Sequence, residues 1–375
     1  MNRSAEQDVH AQAASEEVVN PPDAVEVYRD KALGMYLYWT VDAQFGMVNG
    51  HSVIGASADY LSRYFNELQH TFHPTVFDAN WYARLALQCG FDYVTVTPKN
   101  HNGFCMWDTR TCPFNIMNTP FRRDAMREFV DAFRAVGIPV SFYFSPDDAW
   151  YQWTHGKEPA RRRPYCLPSE NPGLLEHDKA QLRELIENYR PDMLCFDHTP
   201  EVSRPLVKYA RALDSKIMIT RGVLPTPEQG LQEESQGPFE AHYTIGTQWQ
   251  YKAGNDRNKT GRELVELLAD VRSRGGTLLL AIGGPDADGQ LPRDKDDLVR
   301  ELGLWLFVNG EAVKGTRPAP VAREGDVYFT QSRDGNVLYA IDCSGPMKLG
   351  EWRTLCLASV RPGADTTVEI LGQVW

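Results

Sequence analysis

Asp197 closes the apolar run Met193-Leu194-Cys195-Phe196, which puts a carboxylate at the tip of a segment with the composition of a buried strand. A charge in that position is costly unless it is paired or does chemistry. Polar residues end other apolar runs in the same way: Lys99-Asn100-His101-Asn102, Ser145-Pro146-Asp147-Asp148 and Thr220-Arg221, while a sixth run follows Glu240 and carries His242. A single strand-end carboxylate can be a salt-bridge partner, and His198 can be a ligand, an orienting group or a rim residue. Two carboxylates facing each other can cleave a glycosidic bond, with retention when about 5–5.5 Å apart and with inversion at roughly 6.5–9.5 Å. Glu240 is the second candidate, because Gly237-Pro238-Phe239-Glu240 leads directly into a strand, whereas Glu233 and Glu234 lie in a polar loop and read as solvated. Tyr38, Trp39, Trp107, Tyr143, Trp150, Trp153 and Trp249 lie on or just beyond the same run ends. Sugar rings stack on such faces, although any one of these side chains alone is more often packing than ligand contact.

The elements that must position these groups alternate along the chain. Short apolar runs at 34–39, 93–98, 139–145, 192–198, 216–222, 241–245, 277–283 and 302–308 are separated by amphipathic stretches, the pattern of parallel strands with crossover helices. Leu182, Leu185, Ile186 and Tyr189, and again Leu264, Leu267, Leu268 and Val271, form helical stripes. Thr260 and Glu263 supply a capping box for the second, and Gly275-Gly276 stops it. Eight strands, with no G-x-G-x-x-G turn after the first, predict an α/β (β/α)8-like (TIM) barrel, whose active site lies at the C-terminal strand ends. Beyond Pro318 the texture changes to short alternating segments at 327–331, 337–342, 354–360 and 366–371, with Asp334-Gly335 as a hairpin turn, and reads as a small C-terminal β-sandwich. The division is therefore a leader at 1–26, disordered by its polar, acidic composition, a catalytic barrel at 27–317 and the sandwich at 318–375.

Composition narrows the partners. The 375 residues carry a formal net charge of −11, and the basic runs, such as Arg161-Arg162-Arg163, are short, which excludes a nucleic-acid partner. No stretch approaches the roughly 20 apolar residues of a membrane span. Seven widely spaced cysteines without a C-x-x-C favour reduced thiols, and with no apolar signal region in the first 22 residues the expected location is cytoplasmic. A homo-oligomer is left open.

The motifs themselves resemble a family. Lys99-Asn100-His101-Asn102-Gly103-Phe104 with Trp107-Asp108 is similar to the K-H-H-D-G-F…W-D segment of glycoside hydrolase family 29, the α-L-fucosidases. Gly34-Met35-Tyr36-Leu37-Tyr38-Trp39 resembles its G-M-F-I-H-W, and Asp192 to Asp197 its D-x-L-W-F-D, whose last residue is the nucleophile. Thr226-Pro227-Glu228-Gln229, Phe239-Glu240-Ala241, Trp249-Gln250-Tyr251, Asn309-Gly310-Glu311-Ala312 and Gly315-Thr316-Arg317 follow the order of further family elements, so the resemblance covers residues 27 to 342. It implies an irregular barrel with a C-terminal β-sandwich and retaining hydrolysis of an α-glycoside without cofactor or metal, with Asp197 as nucleophile and Glu240 as acid/base. It also implies sugar contacts from Tyr38, Trp39, Asn100, His101, Tyr143, Arg221 and Trp249. Tyr38 stands where the family has His, Asn100 replaces the first His of its pair, Asn102 replaces its Asp, and only Ala58-Asp59-Tyr60 remains of its E-W-Y. A buried polar group that changes type discriminates between hydroxyl patterns, so a glycone pocket altered from fucose is expected.

Three other readings compete with it. His101, His198, His242 and Asp197 could converge on a divalent ion as a metal-dependent hydrolase. The substitutions at Tyr38, Asn100 and Asn102 could mark a catalytically silent carbohydrate-binding protein, against which the two retained carboxylates argue. The same barrel could also serve a specialised glycoside or pseudo-sugar in an intracellular pathway.

Overall fold

The computed structural model describes residues 18–46, 51–160, 166–232, 235–348 and 350–373. Most of the segment read as a leader, residues 1–17, lies outside these, as do Arg161-Arg162-Arg163, Glu233 and Glu234. The rest of that segment is ordered. Helix α1 (Pro22–Arg29) buries Tyr28, and Asn20 before it brackets Ile219, donating from Nδ2 to the carbonyl at 2.7 Å and accepting its N–H at Oδ1 at 2.9 Å.

The catalytic body is a curled, all-parallel sheet of β1 (Leu33–Leu37), β2 (Tyr93–Lys99), β3 (Val140–Phe144), β4 (Met193–Phe196), β5 (Met218–Ile219), β6 (Glu240–Thr244) and β7 (Thr277–Ala281). Their order is β5-β4-β3-β2-β1-β7-β6. All seven read as buried throughout, which is why most of them are apolar runs in the sequence, while β6 carries the buried Glu240 and His242. Between them run α2 (Ala58–Asn66), α3 (Ala79–Gln88), α4 (Ala125–Ala135), α5 (Ala149–Thr154), α6 (Pro172–Tyr189), α7 (Pro200–Leu213), α8 (Gly261–Ser273) and α9 (Arg293–Asn309). The stripe at Leu182, Leu185, Ile186 and Tyr189 is buried along α6, and the Thr260–Glu263 capping box opens α8.

The expected eighth strand at 302–308 is instead the end of α9. Its buried residues, Lys295, Val299, Leu302, Gly303 and Leu306, follow helical spacing, while Leu304 and Phe307 face outward. A short apolar run carries no period of its own, so residues 302–308 fit either element until their neighbours are placed. Gly303 lets the helix pack on α3: a Cβ there would lie 2.7 Å from the Cα of Cys89.

Between β5 and β6 a stretch without regular ladder pairing closes the gap. His242 N–H donates to the carbonyl of Pro227 at 2.9 Å and Gln229 N–H to the carbonyl of His242 at 3.0 Å, so the Thr226-Pro227-Glu228-Gln229 segment runs alongside β6. The C-terminal sheet holds β8 (Arg317–Glu324), β9 (Val327–Gln331) and β10 (Leu338–Asp342) in antiparallel order β10-β9-β8. Strand β8 was not anticipated, and 354–360 and 366–371 form no strand, so a single three-stranded sheet stands where a sandwich was expected. Those two segments are largely exposed, the first held to β8 by the Ala358 and Ser359 N–H groups donating to Glu324 at 2.6 and 2.9 Å.

Candidate active site

Asp197 follows β4 at the C-terminal rim and is 5% exposed. Tyr143, near the end of the neighbouring β3, donates its hydroxyl to Asp197 Oδ2 at 2.7 Å. His101, two residues past β2, brings Nε2 to 3.0 Å from the same oxygen. Arg221, two residues past β5, sets Nη1 3.1 Å from Oδ1. Four strand ends thus converge on one carboxylate. Adjacent parallel strands deliver the ends of their runs to one rim, which is why residues so far apart in sequence meet here. Burial pulls the Arg221 guanidinium down, but Asp197 and Glu228 outweigh it and hold it above its ordinary value, so it is a fixed cation. Burial first, then the Asp197 charge, pushes the Tyr143 hydroxyl well up, so it acts as a hydrogen donor.

The same Arg221 Nη1 contacts Glu228 Oε1. Glu228 is part-exposed at the rim, with 39% of its side chain open. The two carboxylates thus share one guanidinium nitrogen. Residue reasoning passed over Glu228, although it lay in a quoted motif, because its loop carries no strand signal.

Glu240 goes elsewhere. It is the first residue of β6, fully buried, and both its oxygens are taken: Oε1 accepts from Tyr28 Oη at 3.1 Å and Tyr93 Oη at 2.7 Å, and Oε2 lies 2.7 Å from His242 Nε2. Gly34 makes room for this arrangement, since a Cβ there would lie 2.2 Å from the Tyr93 ring. Burial pushes the Glu240 carboxyl up, but His242 and Tyr93 outweigh it and hold it below the ordinary range. A sealed, ionised carboxylate at the N-terminal end of its strand cannot hand a proton to a leaving group, which corrects the expectation for this residue. It is a barrel-floor carboxylate bound to the His242 ring.

The expected sugar contacts divide. Tyr38 is buried against Tyr36 and Tyr143, ring centroids 5.4 and 5.5 Å away, and Trp249 stands part-exposed 6.4 Å from Tyr36, so both border the site. Asn100 is buried beside His101; its Oδ1 accepts the Asn102 N–H at 2.8 Å, while Nδ2 has no hydrogen-bond partner among the described residues. Trp39 does not face the site: it stacks on Phe77 at 4.8 Å and donates Nε1 to the Asp286 carbonyl at 3.0 Å. Its neighbour Tyr38 takes the other side of the chain, as alternation requires. Asn102 is likewise structural, donating to Thr40 Oγ1 at 3.2 Å and Tyr64 Oη at 3.0 Å. Trp107 is buried and donates to Glu184 at 3.1 Å.

His242 is bound to Glu240, so His101, His198, His242 and Asp197 form no common centre. Two other sets bring ligand atoms together, Asp147 with Cys166 and His198, and Cys195 with Glu240 and His242. In the first, His198 Nδ1 accepts the Thr199 N–H at 2.9 Å, which leaves the hydrogen on Nε2, the atom facing Cys166 at 3.2 Å. An imidazole nitrogen that carries hydrogen does not ligate a metal. In the second, Glu240 and His242 already satisfy each other.

A barrel whose rim gathers a buried carboxylate, its donors, a second carboxylate and aromatic faces belongs to the class of sugar-cleaving barrels. The α-L-fucosidase family model matches residues 1–311, and the chain belongs to that family. It is similar to α-L-fucosidase isoenzyme 1 from Paenibacillus thiaminolyticus, 28% identical with a TM-score of 0.72 over 82% of this chain and 81% of that one. A Bacteroides thetaiotaomicron family 29 α-L-fucosidase, solved as a trapped covalent intermediate with 2-fluoro-fucosyl fluoride, is 25% identical with a TM-score of 0.72, covering 86% and 83% of the two chains. A putative α-L-fucosidase of Caenorhabditis elegans is 25% identical over 278 residues, 66% of this chain; the chain spans only 55% of that relative's length.

Proposed function

We propose that the protein is a retaining glycosidase in which Asp197 is the nucleophile and Glu228 the acid/base. The observation that carries this is the single Arg221 nitrogen shared by the two carboxylates. Asp197 attacks the anomeric carbon while a protonated Glu228 gives its hydrogen to the departing oxygen; the C–O bond breaks and an ester to Asp197 forms. Glu228, now ionised, takes a proton from water, which attacks the anomeric carbon and releases Asp197. Arg221 suits this exchange. Once Asp197 is an uncharged ester, the guanidinium's remaining partner is Glu228, in the ionised form that the second step needs. The covalent intermediate trapped in the Bacteroides relative supports the same chemistry here.

The glycone is proposed to differ from fucose in its hydroxyl pattern, because Tyr38 and Asn100 border the site where the family resemblance expects histidines.

The test is turnover of aryl α-L-fucosides and other aryl glycosides with leaving groups of graded acidity. Asp197→Asn is expected to lose at least about 10⁴-fold in kcat. Glu228→Ala is expected to lose about 10²–10⁴-fold on poor leaving groups and far less on activated ones, with azide restoring turnover as the glycosyl azide. Wild-type turnover by Asp197→Asn would sink the reading.

A further inference from the structure

His101 is held on both sides of its ring. Nε2 lies 3.0 Å from Asp197 Oδ2, and Nδ1 lies 2.6 Å from Ser145 Oγ. Ser145 closes the residues after β3 and is itself buried and anchored: the Asp147 N–H donates to Ser145 Oγ at 3.2 Å, and the Asp147 carbonyl is 3.4 Å away. A bare Nε2 lone pair turned toward a carboxylate would be repelled, so Nε2 carries the hydrogen. The serine hydroxyl hydrogen then has two places to point, the imidazole at 2.6 Å or the carbonyl at 3.4 Å, and the shorter contact is much the stronger.

We propose that Ser145 is a positioning residue that fixes His101 as the neutral tautomer with its hydrogen on Nε2. The hydroxyl spends its hydrogen on Nδ1 and its lone pair on the Asp147 N–H, which leaves Nδ1 an acceptor and directs the single imidazole hydrogen at Asp197. This rests on Asp197 being the nucleophile. Its consequence is electrostatic. Arg221 already gives Asp197 one full positive charge on Oδ1. A second full charge on Oδ2 would hold the carboxylate so firmly that its nucleophilicity would fall, whereas a neutral N–H donor orients Oδ2 beside the Tyr143 hydroxyl without adding charge. The opposing influence is also present: Asp147 Oδ2 stands 3.8 Å from His101 Nδ1 and, with Asp197 on the other side, would favour a doubly protonated ring. The serine hydroxyl, 2.6 Å from the same nitrogen, is the closer group. Asp147 is also drawn toward His198, whose Nε2 lies 3.6 Å from its Oδ1.

The experiment is the ¹⁵N spectrum of the histidine rings in the full chain at neutral pH, with His101→Gln identifying the His101 signals. In the wild type the expected pattern is a protonated Nε2 and a bare, hydrogen-bonded Nδ1. Ser145→Ala is expected to lose that pattern and to lower kcat about tenfold, the rate equivalent of one hydrogen bond, with KM little changed. A wild-type ring protonated at Nδ1, alone or on both nitrogens, would overturn the proposal without any variant. An unchanged spectrum in Ser145→Ala would overturn it too. Failure of the nucleophile assignment shows itself separately, as turnover by Asp197→Asn with the His101 spectrum as expected.

Discussion

At the scale of single residues, the site depends on what holds Asp197 rather than on Asp197 alone. Tyr143 gives it a charge-assisted hydrogen bond at 2.7 Å from a hydroxyl that burial keeps protonated. Such bonds contribute roughly 1.5–3 kcal/mol. Tyr143→Phe is therefore expected to cut kcat/KM by about 10- to 100-fold while leaving the denaturation midpoint near wild type; steady-state kinetics beside urea unfolding checks both, and an unchanged kcat/KM would remove Tyr143 from the site. Tyr38 offers the complementary test of specificity. Tyr38→His, alone and with Asn100→His, is expected to raise the ratio of fucoside to other-glycoside turnover, read on the same aryl panel, and a fall in that ratio would contradict the proposed pocket. Asp197, His101 and Arg221 were legible as polar residues ending apolar runs, and Tyr143 as one of the aromatic residues at the same run ends. Glu228 was passed over because its loop carries no periodic signal, and Trp39 was misread because the alternation of the chain after β1 turns it into the core.

At the scale of elements, the rim is braced by a buried cluster in which Lys99, ending β2, lies 3.2 Å from Asp148 and 2.6 Å from Asp178 of α6. Asp148 also caps α5, accepting the Tyr151 N–H at 2.7 Å. One ammonium cannot neutralise two sealed carboxylates. For Asp178 burial dominates over Lys99 and pushes it up to about 8; for Asp148 burial is outweighed by Lys99, His177 and the Tyr151 N–H, which hold it at about 2. The signs are opposite. The raised Asp178 contributes stability that is present below its unfolded value near 3.8 and lost as pH rises through about 8. The lowered Asp148 contributes stability that is present above 3.8 and lost as pH falls through about 2. Urea midpoints are therefore expected to peak at about pH 4 and to fall as pH rises toward about 8, with Asp178→Asn flattening the alkaline limb and Asp148→Asn the acid one. A midpoint that rises steadily from pH 5 to 8 would contradict this.

At the scale of the whole molecule, one side chain ties the barrel floor to the C-terminal sheet. Arg272 of α8 is 1% exposed and donates to the carbonyls of Val313 at 2.9 Å, Lys31 at 3.0 Å, Gly276 at 2.6 Å, Arg29 at 3.2 Å and Thr316 at 3.1 Å. It thereby joins the end of α1, the approaches to β1 and β7, and the link into β8. Burial pulls its guanidinium down to about 10, which still leaves it charged at neutral pH. Arg272→Met would strand these acceptors, each unmet buried group costing about 1–3 kcal/mol, so a loss of at least about 3 kcal/mol is expected from urea unfolding. Arg293, with 95% of its side chain exposed, is the control: Arg293→Ala is expected to stay within about 0.5 kcal/mol of wild type.

The sequence by itself determined the parallel barrel, the helices that cover it and the rim on which Asp197 sits. Strands buried on both faces are mostly apolar, covering helices must be striped, and a polar residue ending an apolar run has the rim to occupy. Tertiary structure decided what depends on neighbours distant in the chain. The apolar run at 302–308 became a helix because its buried side chains follow helical spacing where α9 packs on α8 and the end of α3. Glu240 became a sealed floor carboxylate because Tyr28, Tyr93 and His242 enclose it, and Glu228 came to share Arg221 with Asp197 because the loop carrying it runs beside β6. Residue type states what a carboxylate can do; access to solvent and to a partner charge, which no local pattern encodes, decides which carboxylate is placed to do it.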